Sequence, residues 1–363
     1  MYKKPIYWVS WHSNPYNDYL FNELSKVYDL NVYYLKNKLK SHPWNSKSTK
    51  IILYKIFYLN NFKTIFALFR PQIKNNIKII AGWNSTLTIF ILIYYSLFNI
   101  EFILWTDTPN IYKIRNGLKT YLRNIYLNII FNKAKYILVT GNIGVKLLSK
   151  YYPKYFNKII NFPFATDTNF FKPVFDEFKI KEDNCIIFLS SGRLVNSHKG
   201  FDISINAFAL LKRNFPQYNF KYFIAGTGPD KSIIENLIID NNLSNNIFLI
   251  NWIEQDNLPT FYQKGDIFIH PSHFDPFPNV VLEAMACGLP VIGSNSAGSV
   301  IDRVIDNYNG YIFNDNDLFD LYDKLIKIYI NKQLIKNFKI NARITSEKWD
   351  INFNFTQIKN ITK

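Results

Sequence analysis

Cysteine is almost missing from this chain. Cys185 and Cys287 are the only two in 363 residues, too few for a disulfide framework or a cysteine metal cluster. A reducing cytosol therefore suits the protein, and Cys287, set among small residues, reads as packing rather than as a nucleophile. Acidic side chains are also scarce: 27 Asp and Glu stand against 43 Lys and Arg, a net charge of +16. No apolar run is long and clean enough to read as a membrane span. The most apolar window, 87–104, is interrupted by Asn99 and Glu101, and a helix over 85–98 followed by a buried strand over 102–105 accounts for it. The first residues, MYKK, lead straight into a strand-like segment at 5–10, so no secretory leader is expected.

What the chain has is apolar mass. Hydrophobic residues make up 48% and aromatics 18%, which excludes a disordered chain. At this length two domains are expected rather than one core. The charge divides unevenly between them. Residues 1–170 hold 23 Lys and Arg against 6 Asp and Glu, a net +17; residues 171–363 hold 20 against 21, a net −1. So basic a first half is attracted to anionic lipid, nucleic acid or an anionic acceptor. Lysines mix with Trp44, Tyr54, Phe57 and Tyr58 over 35–63, a composition that suits a bilayer headgroup zone. Without an RNA-binding motif, no nucleic-acid partner is expected.

The first half alternates strands (5–10, 30–35, 77–81, 101–105, 136–140) with helices (16–28, 85–98, 117–132, 142–152). That pattern predicts a parallel sheet covered by helices. Ligands of such sheets lie beyond the carboxyl ends of the strands, which singles out Trp11-His12-Ser13-Asn14, Gly82-Trp83-Asn84 and Thr106-Asp107-Thr108. His12 and Asn14 are candidate ligand contacts; for His12 a purely local hydrogen bond is the alternative. Asp107 is a candidate to orient a ligand hydroxyl or to stabilise developing positive charge. A loop acid or helix cap is its alternative.

The second half centres on residues 270–293, HPSHFDPFPNVVLEAMACGLPVIG. Three prolines (Pro271, Pro276, Pro278) precede a helix that starts near Asn279, Gly288 closes it, and Leu289-Pro290-Val291-Ile292 opens a buried strand. A helix start is a natural phosphate seat. Asp275 and Glu283 flank it with seven residues between, and carboxylates accept well from sugar hydroxyls. The stretch resembles the signature of retaining glycosyltransferases of family four, which have the GT-B fold: an acid, seven residues, a glutamate, a small-residue helix, then G-x-P-V-I. Asp275 departs from the usual glutamate, and WHSNPYND replaces the glycine pair common in the first loop of relatives.

The resemblance implies further roles: His12 and Asn14 would contact the acceptor, and Asp107 falls where many relatives place a polar residue facing the donor sugar. Gly192-Arg193 and Lys199-Gly200 correspond to the cations that hold the donor diphosphate, whose departure concentrates charge that Arg193 and Lys199 would stabilise. Gly226 and Gly228 mark a second donor loop, and Trp252 and Ile253 stand where relatives hold the base. Glu283 is expected on the ribose and Asp275 on the sugar, with backbone N–H groups of Phe277, Asn279 and Val280 nearby. Asp315-x-Asp317 reads as a helix cap away from the donor, so no metal and no cofactor are implied. The expected organisation is an acceptor domain at 1–168, a nucleotide-sugar domain at 169–345, the two facing each other across a cleft, and a helix at 346–363 crossing back to the first. The function implied is transfer of a sugar, UDP-linked, to a lipid-linked or polysaccharide acceptor at the inner membrane face. A nucleotide-sugar epimerase of the same fold, or a binder on a decayed transferase scaffold, is the rival.

Overall fold

The computed structural model describes residues 3–36, 52–60, 62–70, 76–108, 117–174 and 185–362. They form two compact units, Met1–Ala165 with Ile351–Lys363, and Thr166–Asp350.

The first unit is built on a seven-stranded sheet in the order β3-β2-β1-β4-β5-β6-β7, parallel throughout. Its strands are β1 (Pro5–Ser10), β2 (Asp29–Tyr34), β3 (Lys55–Tyr58), β4 (Ile77–Ala81), β5 (Ile103–Thr106), β6 (Tyr136–Val139) and β7 (Ile159–Asn161). Central strands are buried on both faces, as Ile6, Trp8 and Val9 show in β1. Apolar runs rather than strict alternation follow from that. Helix α1 (Pro15–Ser25) starts where Asn14 Oδ1 accepts from the Asn17 amide at 2.9 Å, with Pro15 in its first turn. Helix α3 (Thr86–Leu97) opens with a reciprocal cap between Ser85 and Thr88, which satisfies amides the helix leaves unpaired. The short α2 (Phe62–Ala67), α4 (Gly117–Lys133) and α5 (Gly141–Tyr151) complete the unit's own windings.

Two strands were not expected. β3 is an edge strand of four residues with no fully buried position, and β7 has only three residues. Tyr54 is buried, its hydroxyl donating to Asp18 at 2.7 Å, and Phe57 stacks on Tyr33 at 4.7 Å. Both therefore serve the interior rather than a headgroup zone. Trp44 and most of the 35–63 stretch lie outside the described residues.

The second unit carries a six-stranded parallel sheet in the order β10-β9-β8-β11-β12-β13. Its strands are β8 (Ile186–Ser191), β9 (Phe220–Ala225), β10 (Ile247–Ile250), β11 (Ile267–His270), β12 (Val291–Ser294) and β13 (Gly310–Phe313). Its α-helices among the described residues are α6 (Asn196–Lys199), α7 (Phe201–Asn214), α8 (Lys231–Asp240), α9 (Leu258–Tyr262), α10 (Asn279–Ala286), α11 (Gly298–Arg303), α12 (Leu318–Ile330) and α13 (Gln333–Lys348).

The chain then breaks at Trp349-Asp350 and continues as α14 (Ile351–Ile361). Ile358 and Ile361 pack in one cluster with Trp8 and Phe162, and Asn354 Nδ2 donates to Pro163 O at 2.8 Å. The last division thus falls at 350–351, not at 345–346. The reason is Arg343, whose Nη1 donates to Ala286 O, Thr168 O and Phe171 O at 2.7–3.0 Å and keeps α13 on the second unit.

In each sheet the winding reverses beside the first strand, between β1 and β4 and between β8 and β11. Loops at such a reversal splay apart and leave a crevice. In the second unit those loops are Gly192-Arg193 and 271–278.

Candidate active site

Three successive loops of the second unit are stitched together by their backbones. The Gly192 amide donates to Ala225 O, Leu194 to Thr227 O, and Gly226 to Ile250 O, all at 2.9–3.0 Å. A Cβ at Gly226 would sit 1.9 Å from Gly192 O, and one at Gly228 would sit 2.2 Å from Leu194 O. The glycines expected to touch the donor have a prior structural duty: they let the second loop press against the first. Asp230 adds a side-chain tie, accepting from the Asn196 amide at 2.7 Å.

Arg193 emerges from this scaffold exposed. Its guanidinium has no hydrogen-bond or ion-pair partner among the described residues. Lys199, at the end of α6, is placed differently. Gly200 follows it at φ +61°, where a Cβ would lie 2.2 Å from Pro271 O, so the Lys-Gly turn docks directly on the 270–275 loop. Lys199 Nζ donates to Asp275 Oδ2 in a short, partly buried ion pair. The cation assigned to the diphosphate and the acid assigned to the sugar are thus direct partners.

His270, the last residue of β11, completes the group. Its Nε2 lies 3.6 Å from Asp275 Oδ2 and 2.9 Å from Ser272 Oγ. Burial would raise the Asp275 carboxyl, but the Lys199 ammonium and the His270 ring outweigh it and hold the acid well below the usual carboxylate range. His270 is pushed below its ordinary value, chiefly by burial and with Lys199 adding to it, while Asp275 opposes. At neutral pH the cluster is an ammonium and a carboxylate beside a neutral imidazole. Sequence reasoning assigned no role to His270; its place at the carboxyl end of a strand next to the reversal was the available signal.

Glu283 lies on α10 with no exposed surface. Its Oε2 accepts from the Tyr262 hydroxyl at 2.9 Å. Tyr262 Oη in turn lies 2.8 Å from Ser191 Oγ, so with the tyrosine proton on Glu283, Ser191 donates to Tyr262. Tyr262, in α9, was not foreseen either. Burial, with Glu283 beside it, pushes the Cys287 thiol up, as fits a packed cysteine and not a nucleophile.

Around these groups are polar atoms with no partner among the described residues: Trp252 Nε1 and Asn279 Oδ1, both shielded from solvent. Ile253 and Val280 are partly buried against the cluster that holds Val281 and Phe268. Phe277 is buried, 5.6 Å from the Arg303 guanidinium. Such orphaned groups are rare in packed interiors and suit a site that takes a polar ligand.

Asp317 caps α12 as expected, accepting from the Phe319 and Asp320 amides. Asp315, however, reaches His273 Nδ1 at 3.2 Å, so the D-x-D is tied to the 270–275 loop rather than remote from it. Among the described residues no group of three or more His, Cys, Asp or Glu is arranged to hold a metal ion.

On the first unit, His12 Nδ1 lies 2.7 Å from Ser13 O and Asn14 caps α1. The local hydrogen bond is the role the structure displays for each. Asp107 is exposed at the end of β5, where Thr140 Oγ1 donates to Oδ1 at 3.4 Å.

Residues 172–345, just under half of the chain, match the model of the glycosyl transferases group 1. An uncharacterized glycosyltransferase of Haemophilus influenzae is 30% identical over 164 residues, 45% of each chain. The alpha-monoglucosyldiacylglycerol synthase of Acholeplasma laidlawii is 26% identical over 175 residues, 48% of this chain and 42% of that one. The chain spans about half the length of these curated relatives. Anabaena HepE, solved with UDP, superposes with a TM-score of 0.76 over 98% of both chains at 16% identity. The fold is therefore GT-B, two Rossmann-like units each with its own parallel sheet.

Proposed function

We propose that the chain is a retaining glycosyltransferase that moves a sugar from a nucleotide-sugar, UDP-linked, to a lipid-linked or polysaccharide acceptor. The setting is cell-envelope glycan assembly at the cytoplasmic face of the membrane, with the basic first unit meeting anionic lipid. One observation carries the reading: an exposed Arg193 and the Lys199–Asp275 pair, all set on the loops of one sheet reversal.

In the reaction the bond between the sugar's anomeric carbon and the β-phosphate oxygen breaks, and the electron pair leaves with the diphosphate. Arg193 takes that charge directly, and Lys199 shares its charge between the phosphate and Asp275. The acceptor hydroxyl attacks from the face the diphosphate leaves, and its proton passes to a departing phosphate oxygen. No enzymatic nucleophile is needed in this scheme; a trapped glycosyl-enzyme adduct would overturn it. Glu283, oriented by Tyr262, is assigned to the ribose, with the Trp252 and Asn279 groups facing the nucleotide. Asp107 and the His12 loop are assigned to the acceptor. No metal or other cofactor is required in this reading, because two side-chain cations supply the positive charge.

The relatives' names support a sugar transferred to a lipid, and the HepE complexes support UDP. Thermal stabilisation by UDP, GDP, ADP and CMP, each with and without EDTA, tests the reading. A shift with UDP alone that EDTA leaves unchanged supports it. A shift abolished by EDTA refutes the metal-free site, and stabilisation by another base refutes the assigned donor.

A further inference from the structure

Helices α3 and α4 pack against each other on the first unit, and both have more apolar surface than their packing uses. α3 buries Ile91, Leu92 and Tyr95 on its inner side. Its outer side shows Phe90, Ile93 and Leu97 at 68%, 40% and 73% exposure, spaced so that one stripe of the helix carries all three. None of its 12 residues is charged. α4 repeats the arrangement: Leu127, Ile130 and Phe131 face inward, while Leu118, Tyr121, Leu122, Ile125 and Ile129 are exposed at the i, i+3, i+4, i+7 and i+11 positions of one stripe. Phe98, just past α3, is exposed as well.

Single exposed apolar residues are ordinary, but contiguous ones on adjoining helices mark a surface that is covered in use. Membrane spanning is excluded on length. At about 1.5 Å per residue α3 is roughly 18 Å long and α4 roughly 26 Å, against about 30 Å of hydrocarbon. No helix among the described residues is long and apolar enough to cross a membrane. Lying flat in the headgroup zone remains, and the charge supports it. Lys119 and Lys133 flank the α4 stripe by helical spacing, and residues 1–170 carry a net +17. A second copy would bring the same positive charge to the interface, whereas anionic phosphates complement it.

We infer that the outer face of α3 and α4 is the surface by which this protein docks on an anionic lipid bilayer. The inference rests on the proposed membrane setting and names the surface; the 35–63 stretch is not needed for it. The apolar stripes enter the acyl boundary and the flanking lysines meet the phosphates.

The test uses the full chain with vesicles of phosphatidylcholine alone and with added phosphatidylglycerol. Wild type is expected to sediment with the anionic vesicles only, less so at high salt, and to gain hydrogen-exchange protection over 86–98 and 117–133. The triple variant Leu118→Ser/Leu122→Ser/Ile125→Ser, all exposed sites, should lose vesicle affinity by about tenfold or more. The separate variant Phe90→Ser/Ile93→Ser/Leu97→Ser should behave alike. Unchanged binding by both variants, or protection confined to other segments, overturns the inference. So does a vesicle-free dimer of the wild type that these substitutions dissociate. Stabilisation by UDP, measured on the same samples, keeps the outcomes separate: its loss alone bears on the donor site, and lost docking with UDP binding intact bears on this face.

Discussion

Replacing Lys199 by methionine keeps the length and apolar stem of the side chain and removes its charge. Asp275 then has His270 as its remaining close partner, while its side chain is only 14% exposed. Breaking a buried ion pair by deleting one partner costs about 3–5 kcal/mol; the residual exposure and the nearby imidazole bring the expected loss to about 2–3 kcal/mol at neutral pH. The pH dependence is more telling than the size. In the wild type both Asp275 and His270 sit below their unfolded values. The unfolded state therefore binds more protons, and stability rises with pH. For His270 that contribution is lost as pH falls below 6.5, and for Asp275 it is lost below the ordinary carboxylate range near 3.8. Without Lys199 the imidazole no longer faces an ammonium and gains an uncompensated carboxylate, so its protonated form is favoured. Burial still depresses the ring, so the loss of stability on acidification shrinks. Urea midpoints at about pH 7.5 and pH 5.5 should then show wild type weaker at the lower pH and the variant with a smaller drop. Parallel pH profiles for the two proteins would refute the proposed coupling.

Arg193→Ala should leave stability within about 0.5 kcal/mol, since the side chain is exposed without a partner among the described residues, while turnover falls on the order of a hundredfold or more; a melt and a transfer assay separate the two. Tyr262→Phe removes the donor to buried Glu283 and should cost about 1–3 kcal/mol and weaken UDP binding, read by calorimetry. Gly226→Ala forces a Cβ against Gly192 O at 1.9 Å, so both melting temperature and UDP affinity should drop together. Arg303 is buried against Trp349 at 3.6 Å with no hydrogen bond to its guanidinium among the described residues, and burial lowers it to about 10. Its Nη1 also lies 3.7 Å from the buried Asp302 carboxylate, so Arg303→Met removes one partner of a buried ion pair and should cost about 3–5 kcal/mol, checked by denaturant midpoints.

The β11–α10–β12 segment was legible because proline and glycine punctuate it and its strands are continuous apolar runs. β4 was read at its full extent, Ile77–Ala81, for the same reason. β3 was hidden because an exposed edge strand of Lys-Ile-Phe-Tyr has neither alternation nor an apolar run. The break between α13 and α14 was missed because Trp349 and Asp350 suit a helix by propensity; what stops α13 is Arg343 fastening it to the second unit. At the site, residue types and neighbourhood were readable, but pairings were not. Lys199 and Asp275 are 76 positions apart, and the pairing of β8 with β11 together with the docking of Gly200 on Pro271 brings them together. Tyr262 could not be chosen from sequence, because a buried tyrosine is a common core residue until its partners are known; His270 carried only the signal of its strand-end position.

The most direct test of the account is a crystal structure of the full chain with UDP. The account places the β-phosphate within hydrogen-bond distance of Arg193 and Lys199 and the ribose on Glu283. A diphosphate seated away from the Gly192-Arg193 loop, with Lys199 still held only by Asp275, would contradict it.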